Sequence, residues 1–155
     1  MDHNISQLLE KLRNEDETVR QYATAQLWQI WFQQKGVWGL EQLRRAQKLI
    51  DQGNFREAEA LLSEVIADNP TFAEARNRRA VLYYLRGEYE KSREDCLQVV
   101  QLNQFHFGAW HGLGLCHAAL GDYHDAIAAF RQALKIQPYA LINQKLILEC
   151  TAKIN

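Results

Sequence analysis

Proline is nearly missing from this chain of 155 residues, with two in all, and methionine occurs once. So few prolines remove the strongest helix breaker and leave long helices unopposed. Cysteine is also scarce: Cys96, Cys116 and Cys150 are odd in number, widely spaced and without a CxxC pair, so neither a disulfide framework nor a structural zinc site is expected. Cys96 reads as a small buried hydrophobe. No apolar run reaches the roughly 18–20 residues that a membrane span needs, and Met1 leads into polar Asp2-His3-Asn4 with no apolar signal-peptide core. A soluble, cytoplasmic protein is the expectation. Charge of one sign is lacking too, the net being −1 with a pI near 6.5, which argues against nucleic acid as a partner. Arg76, Arg78, Arg79 and Arg86 cluster, but Glu74, Glu88 and Glu90 lie among them.

What is present is a period. Gly53, Gly87 and Gly121 stand 34 residues apart, and each is followed two residues later by an aromatic, Phe55, Tyr89 or Tyr123. A fixed period of this length is the mark of stacked helix pairs. Alignment on the glycines divides the chain into units 39–72, 73–106 and 107–140. Small residues at Ala46, Ala80 and Gly114 suit a close helix crossing, and Leu62, Cys96 and Phe130 are the larger groups that fill the space beyond it. Phe55, Ala58, Leu62, Val65 and Ile66 recur at spacings of three and four, which is one face of a helix. Each glycine falls where the first helix of a pair must end in a left-handed residue, and Asn69-Pro70 and Gln137-Pro138 stop second helices.

The third unit reads Trp110, Leu113, Gly114, Gly121, Tyr123, Ala126, Phe130, Ala133, Pro138, and it resembles the tetratricopeptide repeat (TPR), with His117 departing from the family's usual aromatic. The second unit keeps Ala80, Tyr83, Gly87 and Tyr89; the first keeps Ala46, Gly53, Phe55, Ala58 and Pro70. The resemblance implies an all-α, right-handed α-solenoid of TPR helix pairs, with about nine helices in total. Residues 1–38 fall outside the repeat: Ile5, Leu8, Leu9 and Leu12 mark one helix, a second runs from about Thr18 to Lys35, and the stretch from Asp16 to Leu27 is similar to a HEAT repeat. This segment is expected to cap the first repeat. Residues 141–155 are expected to form a C-terminal capping helix, too apolar for all of Leu141, Ile142, Leu146, Ile147, Leu148 and Ile154 to face inward, so that the protein is a monomer or a weak homodimer.

Catalytic patterns do not emerge. Gly112-Leu113-Gly114 has no strand before it, and His106, His111, His117 and His124 are five to seven residues apart where two ligands on one helical face need three or four. No catalytic, cofactor or metal site is therefore predicted, and the chain is read as a non-enzyme. By the family's spacing the concave face presents Leu43, Arg44 and Gln47, then Asn77, Arg78, Val81 and Tyr84, then His111 and Leu115. The resemblance implies that this groove holds a protein or peptide partner, and two arginines over an apolar floor suit a ligand with a carboxylate and an apolar anchor. Trp28 and Phe32, off the main stripe of their helix, are a candidate second patch. In relatives that clamp chaperone C-termini, lysine, asparagine and arginine stand where this chain has Leu43, Gln47, Arg78, Gly108 and Gly112, so that clamp is not expected. The function expected is a protein-interaction scaffold, with an assembly factor for a multi-subunit complex, such as a photosynthetic one, as the alternative.

Overall fold

The computed structural model describes residues 2–154, and among them are nine helices and no strands. Helices α1 (His3–Lys11) and α2 (Glu17–Phe32) form an N-terminal hairpin. Asp2 and Asp16 cap them, accepting hydrogen bonds from the amides of Asn4 and Thr18 at 2.8 and 2.9 Å. Three pairs follow: α3 (Gly36–Asp51) with α4 (Phe55–Asp68), α5 (Ala73–Leu85) with α6 (Tyr89–Leu102), and α7 (Phe107–Ala119) with α8 (Tyr123–Ile136). Helix α9 (Leu141–Ile154) closes the order.

The turn chemistry anticipated from the glycine period is present three times over. Gly53, Gly87 and Gly121 have φ of 77°, 76° and 82°, where a side chain would be strained. In each turn the glycine amide bonds three residues back, and the next amide bonds the carbonyl of Leu49, Tyr83 or His117 at 2.8–2.9 Å. This is the Schellman closure, which satisfies carbonyls that a helix end would otherwise leave unpaired. It sends each second helix back along its partner in the same geometry, so the pairs stack in register.

The small residues do what their spacing predicts. Ala46 and Ala80 are buried, and a Cβ on Gly114 would press into the fully buried ring of Phe130, 2.7 Å from its Cζ. Between pairs, Leu62, Val65 and Ile66 of α4 meet Leu43 of α3 and Phe72 before α5. Ala126, Ile127 and Phe130 of α8 meet Cys150, Leu146 and Ile147 of α9. Helix α9 thus buries one face and leaves Leu141 and Leu148 about 70% exposed (69% and 71%), as its excess of apolar residues required.

The N-terminal hairpin sits elsewhere than expected. Its helices pack on each other through Leu8, Leu12, Ala23, Leu27 and Trp31, but that core is completed by Phe107 and Ile136, from the third unit. Arg13 donates to the carbonyl of Lys135 at 2.7 Å, and Arg20 stacks over Tyr139 at 4.2 Å. At its other end α2 places Phe32 against the first-unit core and Arg78. The hairpin therefore lies across all three units along the edge formed by the starts of α5 and α7. Helix α3 begins at Gly36, three residues before the sequence boundary at 39, so that α2 can stop at Phe32 and turn. The corrected position has a simple cause: α2 carries apolar residues on more than one face, and a single neighbouring repeat offers only one surface to cover them.

Candidate functional site

A cleft of about 270 Å³ opens on the concave side, between α5 and α7, with one wall supplied by α2. Helix α5 contributes Asn77, Arg78, Val81 and Tyr84, and α7 contributes His111 and Leu115. These two helices present the same face because their turns are identical and their register is offset by one repeat. Ser92 and Cys96 of α6 form the floor, visible between α5 and α7 because Ala80, Gly108 and Gly112 carry so little side chain.

Trp28 is the wall. Its ring reaches 2.6 Å from the position a Cβ would take at Gly108, so only glycine accommodates it there. It stacks on Phe32 at 5.8 Å and meets His106 and Phe107 edge-on at 5.2 and 5.4 Å. Trp28 and Phe32 are accordingly half-buried and do not make a second patch; Trp28 is one end of the same cleft, and Phe32 packs behind it on the first-unit core. The aromatics left at the surface are instead Tyr22 (55% exposed), Trp38 (48%) and Tyr139 (44%).

Of the nine residues placed in the groove from sequence, six line the cleft and three do not. Leu43 is only 3% exposed, packed in the first-unit core, because Phe32 and Phe72 cover the site where the family's spacing would open it. Arg44 is exposed on α3 outside the cleft. Gln47 donates to Asp51 at 2.8 Å and accepts from Arg78 at 3.0 Å. Asn77 borders the cleft but is itself buried and donates to Glu74 at 3.1 Å.

Arg78 is not a free cation. Its Nε faces Glu74 Oε1 at 3.4 Å, its Nη1 donates to Gln47, and its guanidinium lies over the Phe32 ring at 5.2 Å. Two other arginines of the sequence cluster are engaged as well, whereas the buried Nε of Arg76 has no hydrogen-bond partner. Arg79 forks onto Asp95 with bonds of 2.7 and 2.8 Å, and Arg86 bridges Glu59 and Glu88. Those bonds hold the Glu59 carboxyl below its ordinary range, and burial together with its bond to Glu59 pushes Tyr83 up to about 12. This is a structural network between α4, α5 and α6, and it neutralises Arg79 and Arg86, two of the cations that the sequence places in a basic cluster.

Two buried residues that sequence reading passed over hold the wall in place. Glu74 and His106 are fully buried, and His106 Nε2 donates to Glu74 Oε2 at 2.8 Å. His106 Nδ1 accepts from the amide of Ala109 at 3.0 Å, capping α7, which places the ring proton on Nε2. The imidazole then stacks flat against Trp31 at 4.5 Å. Hydrogen bonds thus tie α5 to α7, and ring stacking ties both to α2, directly behind Trp28. At the opposite side His111 Nδ1 faces Asn143 Oδ1 of α9 at 2.7 Å.

Models of the tetratricopeptide repeat match residues 43–106 and 108–139. The chain belongs to the tetratricopeptide repeat family, and its fold is an α-solenoid of such repeats. A TPR repeat-containing protein of Rhizobium etli is 34% identical over 93 residues, which are 60% of this chain and 46% of that one. Anaphase-promoting complex subunit 3 of Schizosaccharomyces pombe is 27% identical over 103 residues, 66% of this chain and 15% of its own. The chain spans less than half the length of these curated relatives. Among solved structures, the first TPR domain of Spaghetti (RPAP3) bound to an HSP90 peptide superposes with a TM-score of 0.72 at 19% identity, covering 74% of this chain and 91% of that domain. The TPR2B domain of yeast Sti1 in complex with an Hsp70 peptide gives 0.67 at 13% identity, covering 73% and 95%. Among the described residues no helix is long and apolar enough to cross a membrane.

Proposed function

We propose that the protein is a non-enzymatic interaction module, and that the cleft between α5, α7 and Trp28 receives a segment of a partner protein through one apolar anchor side chain. The observation that carries this is the cleft's own chemistry: an apolar concavity whose single lining cation is already satisfied from within the fold. Val81 and Leu85 stand 40% and 58% exposed at its rim beside a half-buried Tyr84, on a helix whose remaining apolar residues are buried. Apolar side chains held open at the edge of a preformed pocket favour an apolar occupant.

The superposed domains named above hold chaperone peptides, one of them the acidic SRMEEVD. In this chain Leu43 is in the core, Gly108 is covered by Trp28, and Arg78 already faces Glu74. A terminal carboxylate entering here would find no unpaired cation among the residues lining the cleft, and desolvating it would be unfavourable. The structure thus supports the apolar half of the ligand expected from sequence and not its carboxylate half.

The test is selection from a random peptide library displayed on phage, panned on the full chain. Enriched peptides should share a large aliphatic or aromatic residue and no acidic C-terminus. Enrichment of peptides with a shared acidic C-terminus would refute the reading.

A further inference from the structure

Helix α2 lies on the concave face as a bound helix would. Its aromatics Trp28, Trp31 and Phe32 fall at i, i+3 and i+4, on one side of the helix, and between them they reach all three units. Phe32 packs on the cluster of Leu43 and Phe72, with the Arg78 guanidinium 5.2 Å from its ring. Trp28 covers Gly108 and borders Asn77, while Trp31 stacks on His106 at 4.5 Å and tilts onto Phe107 at 5.0 Å. From Gln21 to Gln34 no residue is charged, and among the described residues no ion pair joins the hairpin to the repeats. The seat is filled by rings.

Elsewhere the hairpin is lightly held. Its polar ties to the repeats lie at the periphery: Arg13 to the Lys135 carbonyl, Gln34 and Lys35 to Thr71 at 3.1 Å each, and Gln137 to Thr24 at 3.4 Å. Three open clefts of about 410, 390 and 370 Å³ run along the seam between hairpin and repeats, where a close-packed core would leave none. Leu8, Leu12, Ala23 and Leu27 give the hairpin a core largely its own, so it can move as a unit. Its connection to α3 is three residues, 33–35, ending at Gly36, whose φ of 67° and open surroundings suit a hinge.

We propose that this seat is a helix-binding surface held shut by the chain's own α2, and that its partner is an amphipathic helix with large apolar residues at i, i+3 and i+4 and no charge on that face. Hairpin and partner compete for one site. A tethered occupant acts at an effective concentration on the order of millimolar, so a partner helix displaces it only by binding the seat well below that. Charge gives the partner no help, because Arg78 is held by Glu74 and Gln47, and His106 is held by Glu74. A charged side chain brought into the seat is desolvated with nothing to pair. Trp28 fills the seat on one side and walls the cleft on the other, but the residues that test the two surfaces differ.

The probe is a fluorescein-labelled peptide of residues 15–35, titrated into the full chain and read by anisotropy. The double variant Trp28→Ala, Phe32→Ala weakens the tethered occupant, and it should bind the probe at least about 10-fold more tightly than the wild type does. A probe with alanine at all three aromatics should bind neither chain, and added salt should leave the affinity of the unaltered probe unchanged. Tyr84→Ala, placed in the double variant, should also leave it unchanged; a loss there puts the probe in the cleft and overturns the seat. Hydrogen exchange of the wild type supplies a reading that needs no variant: amides from Ala23 to Trp31 should exchange at least about 10-fold faster than those of α5 and α7. Equal probe affinity for wild type and double variant, binding of the alanine probe, or equal protection of α2, α5 and α7 would overturn the assignment. So would a dimer that persists in Leu148→Lys without probe, since the seat would then hold a second copy's α2.

Discussion

Replacing His106 with phenylalanine is the sharpest perturbation of the contact that sets the cleft wall. Phenylalanine keeps the flat ring and its stacking on Trp31, and it removes only the two nitrogens. Glu74 Oε2 then loses its donor at 2.8 Å, and the Ala109 amide loses the acceptor that caps α7 at 3.0 Å. Neither group can turn to water, because both residues are fully buried. That amide keeps a bond to the His106 carbonyl at 3.1 Å, so the cost is mainly that of a buried carboxylate deprived of its partner, about 3–5 kcal/mol. Against a total stability of about 5–15 kcal/mol this is a large fraction. Urea unfolding followed by far-ultraviolet circular dichroism should show a midpoint lowered by about 1–3 M, given slopes of about 1–3 kcal/mol/M. Glu74→Leu alone should be comparably damaging, and the two changes together less damaging than their sum, since each removes the other's orphan. A His106→Phe midpoint equal to the wild type would refute the claim that the His106–Glu74 hydrogen bond holds the start of α7 to α5.

Gly114→Ala should destabilise by about 1–3 kcal/mol despite alanine's better helix propensity, because the new Cβ has nowhere to go but the Phe130 ring; an unchanged thermal midpoint would show that the ring can retreat. His117 is held below its ordinary 6.5 mainly by burial and has an unpartnered buried Nδ1, so the unfolded chain takes up its proton first and the stability it contributes is present above pH 6.5 and lost as pH falls below it. His117→Phe should flatten that part of the stability–pH curve, and an unaltered slope relative to wild type would assign the dependence to other groups. The exposed Leu148 of α9 should mediate weak self-association, seen as a sedimentation mass that rises with concentration and stays monomeric in Leu148→Lys; a flat wild-type mass rules this out. Ile147, by contrast, packs against the α8 core, and a lysine there would confound association with folding.

Local chemistry with a fixed offset was legible without coordinates. A left-handed glycine, a small residue at a crossing and an apolar stripe each have one structural meaning, and repetition at 34 residues made them reinforce one another. The faces of α5 and α7 followed directly, and so did six of the nine groove residues. What the stripe of α2 could not reveal was its partner. Trp28 and Trp31 meet His106 and Phe107, some 75 positions away, and an apolar face says that something covers it without saying what. Leu43 was misplaced for the same reason, since the covering ring of Phe32 comes from outside the repeat. Glu74 and His106 read as ordinary polar positions at helix starts, and only their juxtaposition across one repeat makes them a buried pair.

Anchoring of a partner segment in the cleft between α5, α7 and Trp28 is a measurable equilibrium. Its most direct test is calorimetric titration of the tightest selected peptide into the wild type and Tyr84→Ala, with Trp38→Ala as a control far from the cleft. Removing the Tyr84 ring takes away apolar contact worth about 1.5–3 kcal/mol, so the affinity should fall about 10- to 100-fold while the helical circular dichroism and the Trp38→Ala affinity stay as in the wild type. Equal affinity in wild type and Tyr84→Ala would contradict the claim and move the binding site off the concave face.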